Sequence, residues 1–341
     1  MAVKWMEGFE APVAGSATYY GRKYASGSGF AAVAGRVTGS AATWSALTWR
    51  TNSLGSQKTW TIGFGFKGPN SLPVSIDKSL RLYLSATEQF RLRIHATSAS
   101  VATIDLMRGA TVVATPTTTL SLAGWHYIEL QVGVDTGTAG TIELRIDEVS
   151  VYTNAGTNTA NGGVANADVI EFKHDAGSGS CFLDDIYVCD DQTGDGLGNT
   201  TFRGDSQVVG FKPNANGSLS QWTRSSGSSD SALLADTSDS SFLSDSTVGH
   251  ETTVNFEDPT IPSGTIFGIQ LMSLANLDLA GSRQYCTEYY DGTSHEFPTL
   301  HTVASTTIAG FTDVIEANPV SATNWLSSEL NSAQFGVKVK T

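Results

Sequence analysis

Glu129, Glu143, Asp147 and Glu148 lie in one stretch, GWHYIELQVGVDTGTAGTIELRIDEVSVYT (124–153). Carboxylates on paired strands are the equipment of sugar cleavage, in which two acids about 5–10 Å apart act as proton donor and as base or nucleophile. Their spacing argues for a plainer role. Side chains alternate between the two faces of a strand, so Ile128, Leu130, Val132 and Val134 share one face while Glu129, Gln131 and Gly133 share the other. Ile142, Leu144 and Ile146 repeat the pattern against Glu143, Arg145 and Asp147. The intervening DTGTAGT supplies turn chemistry, and Asp147-Glu148 falls where the chain must reverse again. The stretch predicts a hairpin with a dry face and a wet face, its acids serving solvation and the bend.

Other chemistry is sparse. There is no G-x-S-x-G elbow for a serine nucleophile, and the six histidines are scattered. His126 shares parity with Ile128 and reads as a core-edge residue. His295-Glu296 lacks the second histidine of a zinc helix, and GDGLGN lacks the strand–helix frame of a phosphate loop. Asp191, Asp195 and Asn199 loosely resemble a calcium loop, but the ligand spacing is not met and no terminal Glu follows; the stretch reads as a hydrated linker. Arg81 and Tyr83, then Arg91 and Arg93, alternate with Leu80, Leu82, Phe90, Leu92 and Ile94. These basic faces read as solvated outer faces, with an anionic-ligand surface as the alternative. Tyr19-Tyr20 and Tyr289-Tyr290 each put one ring outward on a strand, suited to stacking on sugars or a partner; packing on a cross-strand neighbour is the plainer reading. The expectation is therefore no catalytic, cofactor or metal residues, and no cofactor.

The elements that would position these residues are strands. The 341-residue chain has only 16% charged residues, against roughly 25% in ordinary soluble domains, and Ser, Thr, Gly and Asn fill the gap. Short strands with Gly- and Ser-rich turns suit sandwiches or barrels. The expected fold is all-β: an N-terminal jelly-roll sandwich over 1–190, a linker over 191–205, and a second β-sandwich over 206–341. One short C-terminal helix is expected in SATNWLSSELNSAQFG (321–336), capped by Thr323 or Asn324, with Trp325, Leu326, Leu330 and Ala333 as its apolar stripe and Gly336 as its stop.

Net charge is −13, and it is uneven: residues 1–190 carry 14 Lys/Arg against 16 Asp/Glu, residues 191–341 only 6 against 17. So acidic a half is a poor partner for nucleic acid or anionic lipid. Cys181 and Cys189, eight apart on one strand, would be about 26 Å apart at roughly 3.3 Å per residue, too far to bridge. With Cys286 they read as reduced thiols, fitting assembly inside a cell. MAVKWMEGFE has no apolar signal core, and no window approaches a membrane span; no membrane insertion is expected.

The fragments MEGFE, RKYAS, GRVTGSA, GWHYIELQV…GTIELRIDE and the closing LDDIYV resemble the concanavalin A-like lectin/glucanase (laminin-G-like) sandwich. The longer pattern LDDIYVCD…FRGDSQVVGFKPNANGSLSQWT…DSSFLSDSTVGHETTVNFEDP…NWLSSELNSAQFGVKV resembles virion structural proteins of tailed bacteriophages. The compact E-x-D-x-x-E motif of sandwich glucanases is absent. The resemblance implies a non-enzymatic structural protein on the virion exterior, tail-associated or head-decorating. Such a protein would assemble in the host cytoplasm as a symmetric homo-oligomer with other virion proteins. The alternatives are a carbohydrate-binding host-attachment protein, whose partner is a host surface glycan, and a glycan depolymerase.

Overall fold

The computed structural model describes residues 3–9, 22–28, 32–37, 39–44, 48–69, 75–96, 98, 100–192, 202–236, 238–258 and 264–341. The chain is all-β, of the jelly-roll sandwich class, and forms two compact units. Among the described residues the first takes in 3–9, those from Tyr24 to Gln192, and 202–209; the second takes in 22–23 and those from Gly210 to Thr341. Arg203–Asp205, at the end of the stretch expected as a linker, thus belong to the first unit.

Two eight-stranded sheets build the first unit. In the first sheet the order is Val149–Thr157, Gly140–Ile146, Trp125–Gly133, Thr59–Lys67, Cys181–Asp190, Ser40–Trp44 and Ala32–Ala34, with Val3–Glu7 also pairing Cys181–Asp190. In the second it is Thr111–Ala114, Val101–Arg108, Thr87–Ala96, Ile76–Leu84, Val169–Gly177, Thr48–Arg50 and Ser26–Ser28, with Leu120–Ser121 on Val101–Arg108. Every pairing between these strands is antiparallel.

The expected hairpin is present in register, Ile128 opposite Ile146 and Leu130 opposite Leu144, and its apolar positions are buried. Asp147 and Glu148 both take positive φ, 50° and 66°, the signature of a two-residue hairpin turn whose twist suits the flanking strands. The outermost strand, Val149–Thr157, carries no charge. Two register shifts along it act as bulges that blunt an edge otherwise open to another chain.

Aromatic rings fill the space between the sheets. Trp60, Ile62, Phe64 and Phe66 project inward from the central strand and are fully buried. Phe172, from the second sheet, stacks on Trp49 at 4.6 Å and meets Phe64 edge-on at 5.2 Å and Trp44 at 5.7 Å. On the opposite side of the central strand stand Gly63 and Gly65. A Cβ on Gly63 would lie 2.2 Å from the Tyr187 ring, and one on Gly65 2.9 Å from the Arg36 side chain; the missing side chains make room for both.

In the second unit a sheet runs Pro213–Ser220, Glu251–Phe256, Gln334–Val339, Arg283–Tyr290 and Ser294–Glu296, with His301–Val303 also on Arg283–Tyr290. Tyr289 and Phe335 from its inner face pack with Phe297, Trp325, Ala333 and Ile315. Ile315 belongs to a two-stranded ribbon, Ile269–Ala275 with Ala309–Ile315, and Ile269 and Leu271 pack against the same cluster.

The helix expectation needs two corrections. The C-terminal helix is only Ser327–Ser332, started by Leu326, whose N–H donates to Glu329 Oε2 at 2.7 Å. Trp325 precedes it and is buried in the core, donating to Ile315 O at 3.3 Å. Gly336 lies inside a strand, where a Cβ would sit 2.0 Å from Thr252 O; close backbone approach explains it, not a helix stop. A second helix, Asp230–Ala235, is capped by Ser229, whose Oγ accepts from Ala232 N at 3.2 Å. Cys181, Cys189 and Cys286 are buried thiols outside any disulfide.

Candidate functional site

An outward array of charged side chains covers the second sheet of the first unit. Inward burial of Trp49, Leu80, Leu82, Phe90, Leu92, Ile94, Ile104, Leu106, Ile170 and Phe172 forces the alternate residues out. Strand register aligns these into rows. One runs Arg50, Glu171, Arg81, Arg91, Met107; the next runs Thr48, Lys173, Ser79, Arg93, Asp105.

Arg81 is the hub. Its Nε donates to Ser79 Oγ at 2.7 Å, its Nη1 to Glu88 Oε2 at 2.9 Å and Tyr83 Oη at 3.4 Å, and its Nη2 to Asp175. Burial works against its charge, but Tyr83, Asp175 and Glu88 outweigh that and raise its pKa. Arg91 stands directly opposite, a like-charge pair that would be unfavourable alone. Glu88 lies between them, its Oε1 2.9 Å from Arg91 Nε in an ion pair without hydrogen-bond alignment. Burial pushes the Glu88 pKa up despite both arginines.

Tyr83 donates to Glu171 Oε2 at 3.0 Å, and burial raises its pKa, keeping it a proton donor at neutral pH. Toward the other end, Arg93 grips Asp77 through two bonds of 2.8 and 2.6 Å, the fork geometry guanidinium favours. His95 Nε2 lies 3.1 Å from Asp105 Oδ2 and 2.9 Å from Thr103 Oγ1.

Two cations stand apart. Arg50 lies over the Tyr83 ring at 4.4 Å and donates to Ser85 O, and Lys173 is its diagonal neighbour on the adjacent strand. Neither has a carboxylate within 4.0 Å among the described residues. Cations with no carboxylate partner among the described residues, beside a tyrosine, a carboxylate and a fixed guanidinium, can hold an anionic group while hydrogen-bonding hydroxyls around it.

The carboxylates of the 124–153 stretch are placed differently. Glu129 faces away from the core as expected, yet it is 1% exposed. Residues 202–208 lie over it: Arg203 N and Gly204 N each donate to Glu129 Oε1 at 3.0 Å, joined by Tyr187 Oη at 2.5 Å. Val208 N donates to Asp185 at 2.8 Å, Arg36 Nη2 to Ser206 O at 2.7 Å, and the Arg145 guanidinium sits 4.0 Å from the Phe202 ring centroid. Burial raises the Glu129 pKa against the pull of those donors. The wet face expected at Glu129 is therefore a covered one, because a segment more than 70 residues later folds onto it. Glu143 pairs with Arg145, and Glu148 accepts from Asp205 N at 3.3 Å. Asp147 holds the turn by accepting from Tyr127 N at 2.8 Å, and lies 2.7 Å from the half-buried His126.

In the second unit Tyr289 is core, while Tyr290 is half-buried on the outer face with Glu288, Gly336 and Gln334. Glu288 is fully buried, and neither carboxylate oxygen is hydrogen-bonded among the described residues. Burial, then Glu251 and Glu296, push its pKa up to about 7 against Lys338 and Ser294; the Ser294 hydroxyl donates instead to Glu251 at 3.2 Å. Glu296, held by Lys338 and Lys340, is shifted down. His295 lies 3.2 Å from Asp291.

Asp195, Asn199, Tyr19 and Tyr20 lie outside the described residues, and Asp191 is exposed. Among the described residues no three His, Cys, Asp or Glu gather in a metal-binding arrangement, and no helix is long and apolar enough to cross a membrane. Arg81, Tyr83, Arg91 and Arg93 were legible as one outward set. Arg50, Glu171, Lys173 and His95 were not singled out, although the alternation of Glu171 and Lys173 with Ile170 and Phe172 marks them for the same face.

No family model and no curated protein matches the chain. Solved structures align with parts of it. An alginate lyase is 9% identical at a TM-score of 0.42, over 56% of this chain and 99% of that one. A carbohydrate esterase from a Shiga toxin-encoding bacteriophage is 16% identical at 0.36, over 48% and 88%. A carbohydrate-binding module from Bacillus subtilis is 7% identical at 0.32, over 47% and 92%. The expectation of a non-enzymatic chain is corrected here. The solved structures that align with parts of it include an alginate lyase and a carbohydrate esterase.

Proposed function

We propose that this chain engages an acidic glycan, a polysaccharide bearing uronate carboxylates, on the outer face of the second sheet of its first unit. The observation that carries the reading is the pair Arg50 and Lys173, two cations without carboxylate partners among the described residues, flanking Tyr83 and Glu171 on paired strands. A carboxylate bridging them would gain charge-assisted bonds, while Arg81, fixed by its own anions, offers a rigid neighbour. Replacing both Arg50 and Lys173 by Ala is expected to weaken binding of polygalacturonate or alginate at least ~10-fold, about 1.4 kcal/mol, in calorimetry at low salt. Neutral dextran serves as the comparison polymer. Equal affinity of wild type and double variant would sink the reading.

A processing role is the second reading, favoured by one contact. Tyr83 remains protonated and donates to Glu171, which sets a proton donor beside a proton acceptor next to a guanidinium that can neutralise a uronate. Appearance of new reducing ends or unsaturated uronates in the same mixture, lost in Tyr83→Phe, distinguishes cleavage from holding.

The place of action in this proposal is the exterior of a tailed-phage virion, as a symmetric homo-oligomer among other virion proteins. The likeness of the LDDIYVCD…NWLSSELNSAQFGVKV pattern to such proteins supports it. Mass spectrometry of purified particles is expected to find the chain in stoichiometric amount; its absence from particles would remove this part.

A further inference from the structure

We propose that the second unit carries a separate sugar site that takes a neutral, hexose-sized unit. It is a cleft of about 300 Å³ on the outer face of its sheet, lined by Ser218, Tyr290, Asp291, Gly292, Ser332 and Gln334. That volume is at the small end of ligand sites and suits one sugar ring.

The lining is built before any ligand arrives. Tyr290 and Gln334 are direct cross-strand partners. Gln334 is locked, its Oε1 accepting from Ser218 N at 2.7 Å and Thr253 Oγ1 at 3.0 Å and its Nε2 donating to Ser218 Oγ at 3.0 Å. An amide nitrogen has two hydrogens, so one N–H of Gln334 stays available. Asp291 engages Thr293 N and His295 through Oδ1, which leaves Oδ2. The Tyr290 hydroxyl has no hydrogen-bond partner among the described residues. A donor, a carboxylate acceptor, hydroxyls and one aromatic ring form a set that fits a polyol, with the ring available to the apolar face of the sugar.

Charge sets the class. The lining holds one carboxylate and no cation, and the fully buried Glu288 shares the face one residue pair away, opposite Gly336. A uronate would meet like charge here, whereas a neutral sugar would not. The site is independent of Arg50 and Lys173, which lie in the other unit.

Saturation-transfer NMR on the full chain with methyl glucoside, methyl galactoside and N-acetylglucosamine tests the proposal. At least one is expected to bind with a dissociation constant of about a millimolar, the strength a ligand of that size reaches. Tyr290→Ala and, independently, Asp291→Asn on the exposed turn are each expected to weaken it by about 5-fold or more. The Arg50→Ala/Lys173→Ala double variant is expected to bind these sugars like wild type, which separates this result from the fate of the acidic-glycan reading. Absence of transfer for all three sugars at about 10 mM would overturn the proposal, as would unchanged binding in both cleft variants or a preference for galacturonate.

Discussion

Phe172→Ala is expected to lower the stability of the first unit by about 3–5 kcal/mol, the range for emptying a buried aromatic site. Phe172 is fully buried and touches Trp49, Trp44 and Phe64 together. Trp49 and Phe172 sit on neighbouring strands of the second sheet, while Phe64 and Trp44 come from the first. Truncation thus removes contact between the layers as well as within one, and the three large neighbours are too rigid to close the gap. Denaturant unfolding followed by tryptophan fluorescence checks it. The transition of the first unit should move to lower denaturant at an unchanged slope, while the transition reported by Trp325 in the second unit stays in place. Phe172→Leu, which retains much of the volume, should cost less than half as much. A shift below about 1 kcal/mol for the alanine variant would mean that the interior can collapse around the loss.

The second large effect is on pH. Glu288 has its carboxyl pKa raised from the ordinary 4.5 to about 7. The folded state therefore holds a proton that the unfolded chain has already released, and stability falls as pH rises from about 4.5 to about 7, levelling off above. The shift corresponds to a ceiling of about 3 kcal/mol. Compensation by Lys338 and relaxation of the site reduce this to about 1–2 kcal/mol. Thermal melts of the second unit between pH 4.5 and 8 should show that decline, and Glu288→Gln should flatten it, since the amide has no proton to lose. Parallel pH profiles for the two proteins would show that Glu288 is not the group responsible.

Much of this architecture is legible in local pattern, because strand parity is local. Ile128 to Ile146 announce a hairpin by alternation alone, and the structure keeps their register. Arg81, Tyr83, Arg91 and Arg93 announce an outward set in the same way. What local pattern does not contain is the contact made at long range. Glu129 reads as solvated, and it would be, if Arg203 and Gly204 did not reach back across more than 70 residues to donate to it. Burial of Glu288 likewise depends on the sheet assembling around it, since nothing in CTEYYDG distinguishes a covered glutamate from a wet one. Trp325, Leu326, Leu330 and Ala333 have helical spacing, yet Trp325 is worth more in the core beside Tyr289 and Phe335 than on a helix. The helix accordingly starts after it. The short Asp230–Ala235 helix sits in a Ser- and Asp-rich tract whose composition masks its cap at Ser229.

The docking of residues 202–208 bears on how the first unit can be dissected. A protein truncated at Asp190 would keep every strand of both sheets, yet would bare Tyr187 and the carboxylates of Glu129 and Asp185 on what becomes an unroofed flank. Each would lose amide donors that no side chain of the remaining strands replaces. The first compact unit ends at Val209, and a boundary drawn at the last strand would yield a leaner fragment prone to sticking to itself.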